Sequence, residues 1–360
     1  MTATSATKRK YEKPTWTNIV SQYHNPELSK SIWQIVNTFI PYMVLWYLMY
    51  RSLEVGYWLT FLVAIPTSLF MVRIFVLQHD CGHNSFFRSR KANNWVGMAC
   101  SIFTFVPFYY WRRTHALHHA AAGDLDHRGV GDFYTMTVDE YAAKTKWEQF
   151  KYRLYRNPIV MFMIAPTVVF VVGYRFDFLK RKDWKRERKG LLWTNLGLLA
   201  VAVVMTLLIG LPSYLIVQLT IVFLGAGIGT WFFFVQHNYE DAYWASGDDW
   251  DYTTAALQGS SYYKLPRILQ WFTGSIGFHH IHHLSPKIPN YNLEKAHNEN
   301  EIFQTPVTLT LRTGFETTNL SLWDDENRKM INFRQYNAMK RAGQQDPTEK
   351  LPVEATVEAA

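Results

Sequence analysis

Apolar positions in this chain come in long runs separated by wet, charged segments. The first run covers about residues 31–50, and after the short RSLEVG link a second covers about 57–77. Each is close to the roughly 20 residues that cross a bilayer, so the pair predicts a helical hairpin. Pro41 and Pro66 inside them are kinks of a kind membrane helices tolerate. A shorter stretch at about 95–111 follows, and then three more runs at about 158–174, 191–211 and 214–236. The last two, joined by an uncharged Leu-Pro-Ser link, predict a second hairpin.

Histidines lie between these runs in three compact clusters. His79 and His83 stand in QHDCGHNSFF at the end of the second run, His115, His118 and His119 in THALHHA, and His279, His282 and His283 in HHIHHL. Positions i, i+3 and i+4 of a helix share a face, so each cluster can turn its imidazoles toward a common point. Crossings at 95–111 and 158–174 would put the clusters on opposite sides of the membrane. Both stretches are therefore expected to dip in or lie along the surface, the second carrying Pro158 and Pro166. Segment 175–189 has eight basic against three acidic residues, which marks it as cytoplasmic. Four spans, with the clusters and both termini on the cytoplasmic side, is the simple solution. Residues 120–157 read as polar and loop-like. Residues 1–30 form a polar segment with no cleaved signal peptide expected, and 341–360 a disordered tail.

Composition changes this picture little. An apolar share of 48% beside a mean hydropathy of −0.14 says that membrane spans coexist with a large wet portion. The net charge of +8 could suggest nucleic acid, but the basic residues flank apolar runs as in membrane proteins, so no nucleic-acid partner is expected. Cys81 and Cys100 cannot build a disulfide framework, and a reduced site facing the cytoplasm fits them better.

Neutral imidazole is the commonest protein ligand for iron, copper and zinc, and eight of the thirteen histidines fall in the three clusters. Eight such ligands without a ligating thiol suit two metal ions better than one closed zinc site. His237, at the end of the last run, is a ninth candidate. Asp80, Asp124, Asp132, Gln236 and Asn238 are candidates to orient ligating rings from behind. His24, His127, His280 and His297 lack the spacing. The pairing of Glu and His used by soluble di-iron bundles occurs once, at Glu294 and His297, with nothing to match it.

HDCGH, HALHH and HHIHH in this order, with two hydrophobic hairpins interleaved and HHLSPKIPNYNL after the third box, resemble the integral-membrane fatty acid desaturases. The likeness is nearest to the acyl-lipid omega-6/delta-12 branch, covers roughly residues 30–310, and implies a desaturase domain over 31–340. It implies an all-α integral membrane fold with four transmembrane helices in two hairpins, interfacial or re-entrant helices, and a cytoplasmic cap carrying a histidine-rich di-iron site. Carried over by position, the iron ligands are His79, His83, His115, His118, His119, His279, His282 and His283, with His237. The resemblance further implies two iron ions, O2 as co-substrate, a membrane-lipid acyl chain as substrate and an external electron donor such as ferredoxin. Such an acyl chain would enter by an apolar tunnel, for whose wall Trp111, Trp231, Phe232, Phe233 and Phe234 are candidates. In a bacterium the setting would be the inner membrane. Membrane hydroxylases use similar boxes and are the competing enzyme class. A metal transporter is the other alternative, but it would place histidines or acids inside the spans. Oligomeric state is not written in any of these patterns.

Overall fold

A computed structural model describes residues 13–343. Four helices in it are long and apolar enough to cross a membrane. After α1 (Lys13–Ser21) come α2 (Leu28–Ser52) and α3 (Tyr57–His83), the first hairpin. Each extends past its apolar run. At 1.5 Å per residue the 27 residues of α3 span about 40 Å, against roughly 30 Å of hydrocarbon. The excess is about two turns, so His79 and His83 ride above the bilayer on a helix rooted in it.

The 95–111 stretch does not cross. α4 (Arg90–Thr104) is capped by the Ser89 hydroxyl and stops at Phe105, whose φ of 64° lies in the left-handed region. There the chain turns back into α5 (Phe108–Ala121). The turn is pinned to α3, since the Gln78 amide donates to the Val106 carbonyl at 2.9 Å and accepts from the Thr104 hydroxyl at 2.7 Å. The expected loop at 120–157 is only partly a loop. Strand β1 (Met136–Thr137), α6 (Val138–Ala142) and α7 (Lys146–Tyr155) lie within it, and Thr137 and Thr145 start the two helices with capping boxes. The 158–174 stretch is a π-helical turn followed by the seven-residue α8 (Ala165–Val171), and this unit is bent by 57° from α7.

The second hairpin is α9 (Lys185–Ile209) and α10 (Leu211–His237). Its turn is a single residue, Gly210 at φ 82°, with Leu-Pro-Ser already the first turn of α10. Proline is at ease there because the N–H groups of a first turn have no helical partner.

The remaining chain forms the cap: α11 (Tyr252–Gln258), β2 (Tyr262–Lys264), α12 (Arg267–Phe272), α13 (His279–Leu284), α14 (Asn290–Glu299), β3 (Thr308–Thr310), α15 (Leu311–Glu316), β4 (Leu320–Asp324), β5 (Lys329–Asn332) and α16 (Phe333–Arg341). The fold is mostly helical, but β1, β4 and β5 make one small sheet and β2 and β3 another. Neither sheet is foreseen by the expectation of an all-α chain, because strands of two to five residues leave no alternation to read. Arg156, just after α7, donates to the Asn238 side chain at 3.0 Å and to the Leu320 carbonyl at 2.7 Å, tying the sheet to the end of α10. The segment called polar at 1–30 contains α1, whose Trp16 and Val20 are buried with Tyr23 against Ile281, Leu284 and Ile288. The tail expected at 341–360 lies, from 344 onward, outside the described residues, and α16 runs through Arg341.

Candidate metal centre

The nine histidines named above come from four helices and meet in one layer. α3 supplies His79 and His83, α5 His115, His118 and His119, α10 its last residue His237, and α13 His279, His282 and His283. Their ring nitrogens sort into two groups, each with all its atoms within 4.8 Å of one another. One is His79, His83, His115, His119 and His282; the other is His118, His237, His279 and His283. The clusters therefore do not each aim at one point. His118 and His119 are 100° apart around α5, and each turns to a different group. α13 divides likewise, with His282 in the first group and His279 and His283 in the second. The groups abut, the His119 and His283 rings stacking at 4.1 Å.

Within each group the nitrogens approach as co-ligands would. His118 Nε2 lies 3.2 Å and His279 Nε2 2.9 Å from His237 Nε2; His115 Nε2 lies 3.1 Å and His282 Nε2 3.0 Å from His119 Nε2. Two nitrogens each about 2.1 Å from one ion and at right angles to each other would sit about 3 Å apart. His79 Nε2, His83 Nε2 and His283 Nε2 are buried without a protein partner. Burial first, and neighbouring imidazoles after it, hold His115, His118, His119, His279, His282 and His283 well below the usual histidine range. They are thus neutral, the ligating form. An all-imidazole donor set with no thiolate fits two ions of a metal such as iron.

What holds the rings from behind agrees only in part with the sequence reading. Asp80 meets it: its Oδ1 lies 3.2 Å from His79 Nδ1, while its Oδ2 accepts from the Asn290 backbone and side chain at 2.7 and 2.9 Å. Gln236 instead donates to the Ile276 carbonyl, Asn238 receives Arg156, and Asp124 turns to His127. Asp132 accepts from the Gly129 backbone at 2.9 Å, and burial pushes its carboxyl up to about 6. His237 Nδ1 lies 3.2 Å from the Gly259 carbonyl, and Trp111 stacks on His115 at 4.5 Å. The carbonyl carries no sequence signal. The four histidines set aside stay outside both groups. His24 meets Ser285, His280 the Phe303 carbonyl, His127 Asp124, and His297 packs against Phe278.

Below the histidines lies a cavity of about 380 Å³ between α3, α5, α8 and α10. Its wall is mainly apolar, and it reaches His79, His115 and His279. Trp111, Phe232 and Phe233 line it as anticipated. Trp231 does not, stacking on Phe315 at 4.7 Å, and Phe234 is buried against Phe133 and Phe162.

Four apolar helices beneath paired histidine groups, with a greasy cavity opening onto them, define a membrane-embedded protein built to bring an apolar molecule to a metal-type centre. The chain belongs to the fatty acid desaturase family, whose profile matches residues 15–309. It is 42% identical to a fatty acid desaturase of Bacillus subtilis, over 88% of this chain and 90% of that one. It is 26% identical to the sn-1 oleoyl-lipid 12-desaturase of Anabaena variabilis, over 69% of this chain and 71% of that one. A third relative, the sn-1 acyl-lipid omega-3 desaturase (ferredoxin) of a Synechocystis strain, is 26% identical over 62% of each chain. The chain is an oxidoreductase of the desaturase type, associated with membranes, acting on lipid and dependent on a redox partner.

Proposed function

We propose that the nine histidines hold two iron ions and that the chain uses O2 to place a cis double bond in the acyl chain of a membrane lipid. One observation carries this reading: the apolar cavity includes His79 and His115 of one group and His279 of the other in its wall. A methylene chain lying there is presented to both groups at once. Bound iron would supply the oxygen activation needed to take hydrogen from an unactivated methylene. The protein's part is to hold the chain in place, keep water out and fix the rings. Asp80 and the Gly259 carbonyl orient His79 and His237, and Trp111 both braces His115 and walls the cavity.

Reducing O2 to water takes four electrons. Two come from the paired C–H bonds and two from outside, so a carrier such as ferredoxin is proposed as donor. The relative bearing ferredoxin in its name supports a carrier of this kind. Basic segment 175–189 and the shared level of all nine histidines support a cytoplasmic site, with both termini on that side, in the inner membrane of a bacterium. Delta-12/omega-6 is the position we assign, on the motif resemblance; relatives named 12-desaturase and relatives named omega-3 desaturase match at similar identity. The test is the fatty acid profile of a host expressing the chain, with iron content of the purified protein. New cis-unsaturated acyl chains and about two irons per chain are expected. Hydroxylated products, or activity without iron, would overturn the reading.

A further inference from the structure

The cavity has a graded wall on α10. Gly225, Gly229, Phe232 and Gln236 line it in a stripe that runs up the helix to His237. By helical rise Gly229 lies about 12 Å and Gly225 about 18 Å below His237. On the facing wall, Met71, Phe75 and His79 form the matching stripe of α3, with Met71 about 12 Å below His79.

The two glycines differ in what a side chain would meet. At Gly225 a Cβ would fall 2.8 Å from Met71 Sδ and 3.5 Å from the Ser68 carbonyl. Here α3 and α10 touch, and the Ser68 hydroxyl donates to the Ile221 carbonyl at 3.2 Å. Below Met71 and Gly225 neither helix lines the cavity. At Gly229, one turn nearer the histidines, a Cβ would meet nothing within 4 Å. That space is lumen, and a side chain at this position would project into it.

The geometry points to Gly229 and Met71 as the pair that sets how much acyl chain fits beyond the metal centre. Gly229 keeps the lower lumen clear and Met71 is its floor. The inference rests on the acyl-chain reading of the cavity given above. Methionine suits a floor because its unbranched thioether can adapt to a chain end.

The pair makes opposite predictions, which is the test. Cells expressing wild type, Gly229→Leu, Gly229→Ala or Met71→Ala are fed a ladder of saturated and cis-monounsaturated fatty acids differing by two carbons, and the newly desaturated products are measured with iron content. Gly229→Leu should shift the long-to-short product ratio toward shorter chains by roughly tenfold or more, the discrimination that a few methylenes carry in an apolar pocket. Gly229→Ala should move it the same way by less, and Met71→Ala should move it toward longer chains. Leucine and alanine favour a helix more than glycine does, and iron retained at the wild-type level shows that a variant is folded. Should Gly229→Leu lose its iron, the alanine variants carry the test. Iron-loaded variants with the wild-type pattern, or shifts in one common direction, overturn the inference while the desaturase reading stands. A wild-type protein that makes no double bond on any member of the ladder defeats that reading, and this inference falls with it.

Discussion

The two members of each hairpin do different work although both look like membrane helices. α9 has the highest mean hydropathy of the four spans, 2.2, yet only 11% of its most apolar window is buried in the protein; α3 and α10, at 2.0 and 1.9, are 56% and 44% buried. α2 resembles α9, at 22%. Lipid is as apolar as leucine, so hydropathy reports immersion and not which face meets protein. The inner helices are told apart by polar and small residues: Arg73, Gln78 and Asp80 on α3, and Gln218, Gly225, Gly227 and Gln236 on α10, all buried. Arg73 is kept inside by Thr38, at 3.0 Å, and by stacking on Trp271. The inner helices carry His79, His83 and His237 to the level where α5 and α13 supply the other six histidines. The outer ones face lipid and brace them.

The sharpest way to test this comparison is to remove a ligand from the histidine layer that the inner helices support. His118→Ala should abolish desaturation and lower bound iron, whereas His24→Ala should leave both intact; lipid profiles and metal analysis read the pair. Asp80→Asn should be milder, lowering iron affinity by about 10- to 100-fold while the fold persists, as for other groups that orient a ligating histidine. Competition with a chelator would measure it, and an unchanged affinity would leave Asp80 a purely structural role. Packing gives a smaller contrast. A Cβ at Gly227 would fall 2.5 Å from the Phe162 carbonyl, so Gly227→Leu should cost about 1–3 kcal/mol, while Leu207→Ala on α9, 82% exposed, should stay within about 0.5 kcal/mol. Thermal unfolding in detergent compares them. Smallest in energy but decisive for sidedness, cysteine tags replacing Glu140 and Lys340 should both label from the cytoplasm. Labelling from opposite faces would overturn the cytoplasmic assignment.

The hairpins were readable because a span imposes about twenty apolar residues in a row, and the histidines because i, i+3, i+4 spacing is rare by chance. Their allotment was not readable. His118 and His119 are neighbours in sequence but belong to different groups, since each residue turns the helix by 100°. The roles expected of Gln236, Asn238 and Asp124 went to other partners for the same kind of reason. Ile276 and Arg156 reach Gln236 and Asn238 through chain paths that no local pattern reports, whereas Asp124 is taken by His127 three residues on.

By itself the order of residues determined the number of apolar crossings and which imidazoles are available, because both follow from local composition and periodicity. It could not decide that α4 turns back at Phe105, that α13 shares its rings between two groups, or that α3 and α10 touch where Met71 meets Gly225. Those depend on which helices meet across the bilayer, and such contacts exist only once distant segments are packed together.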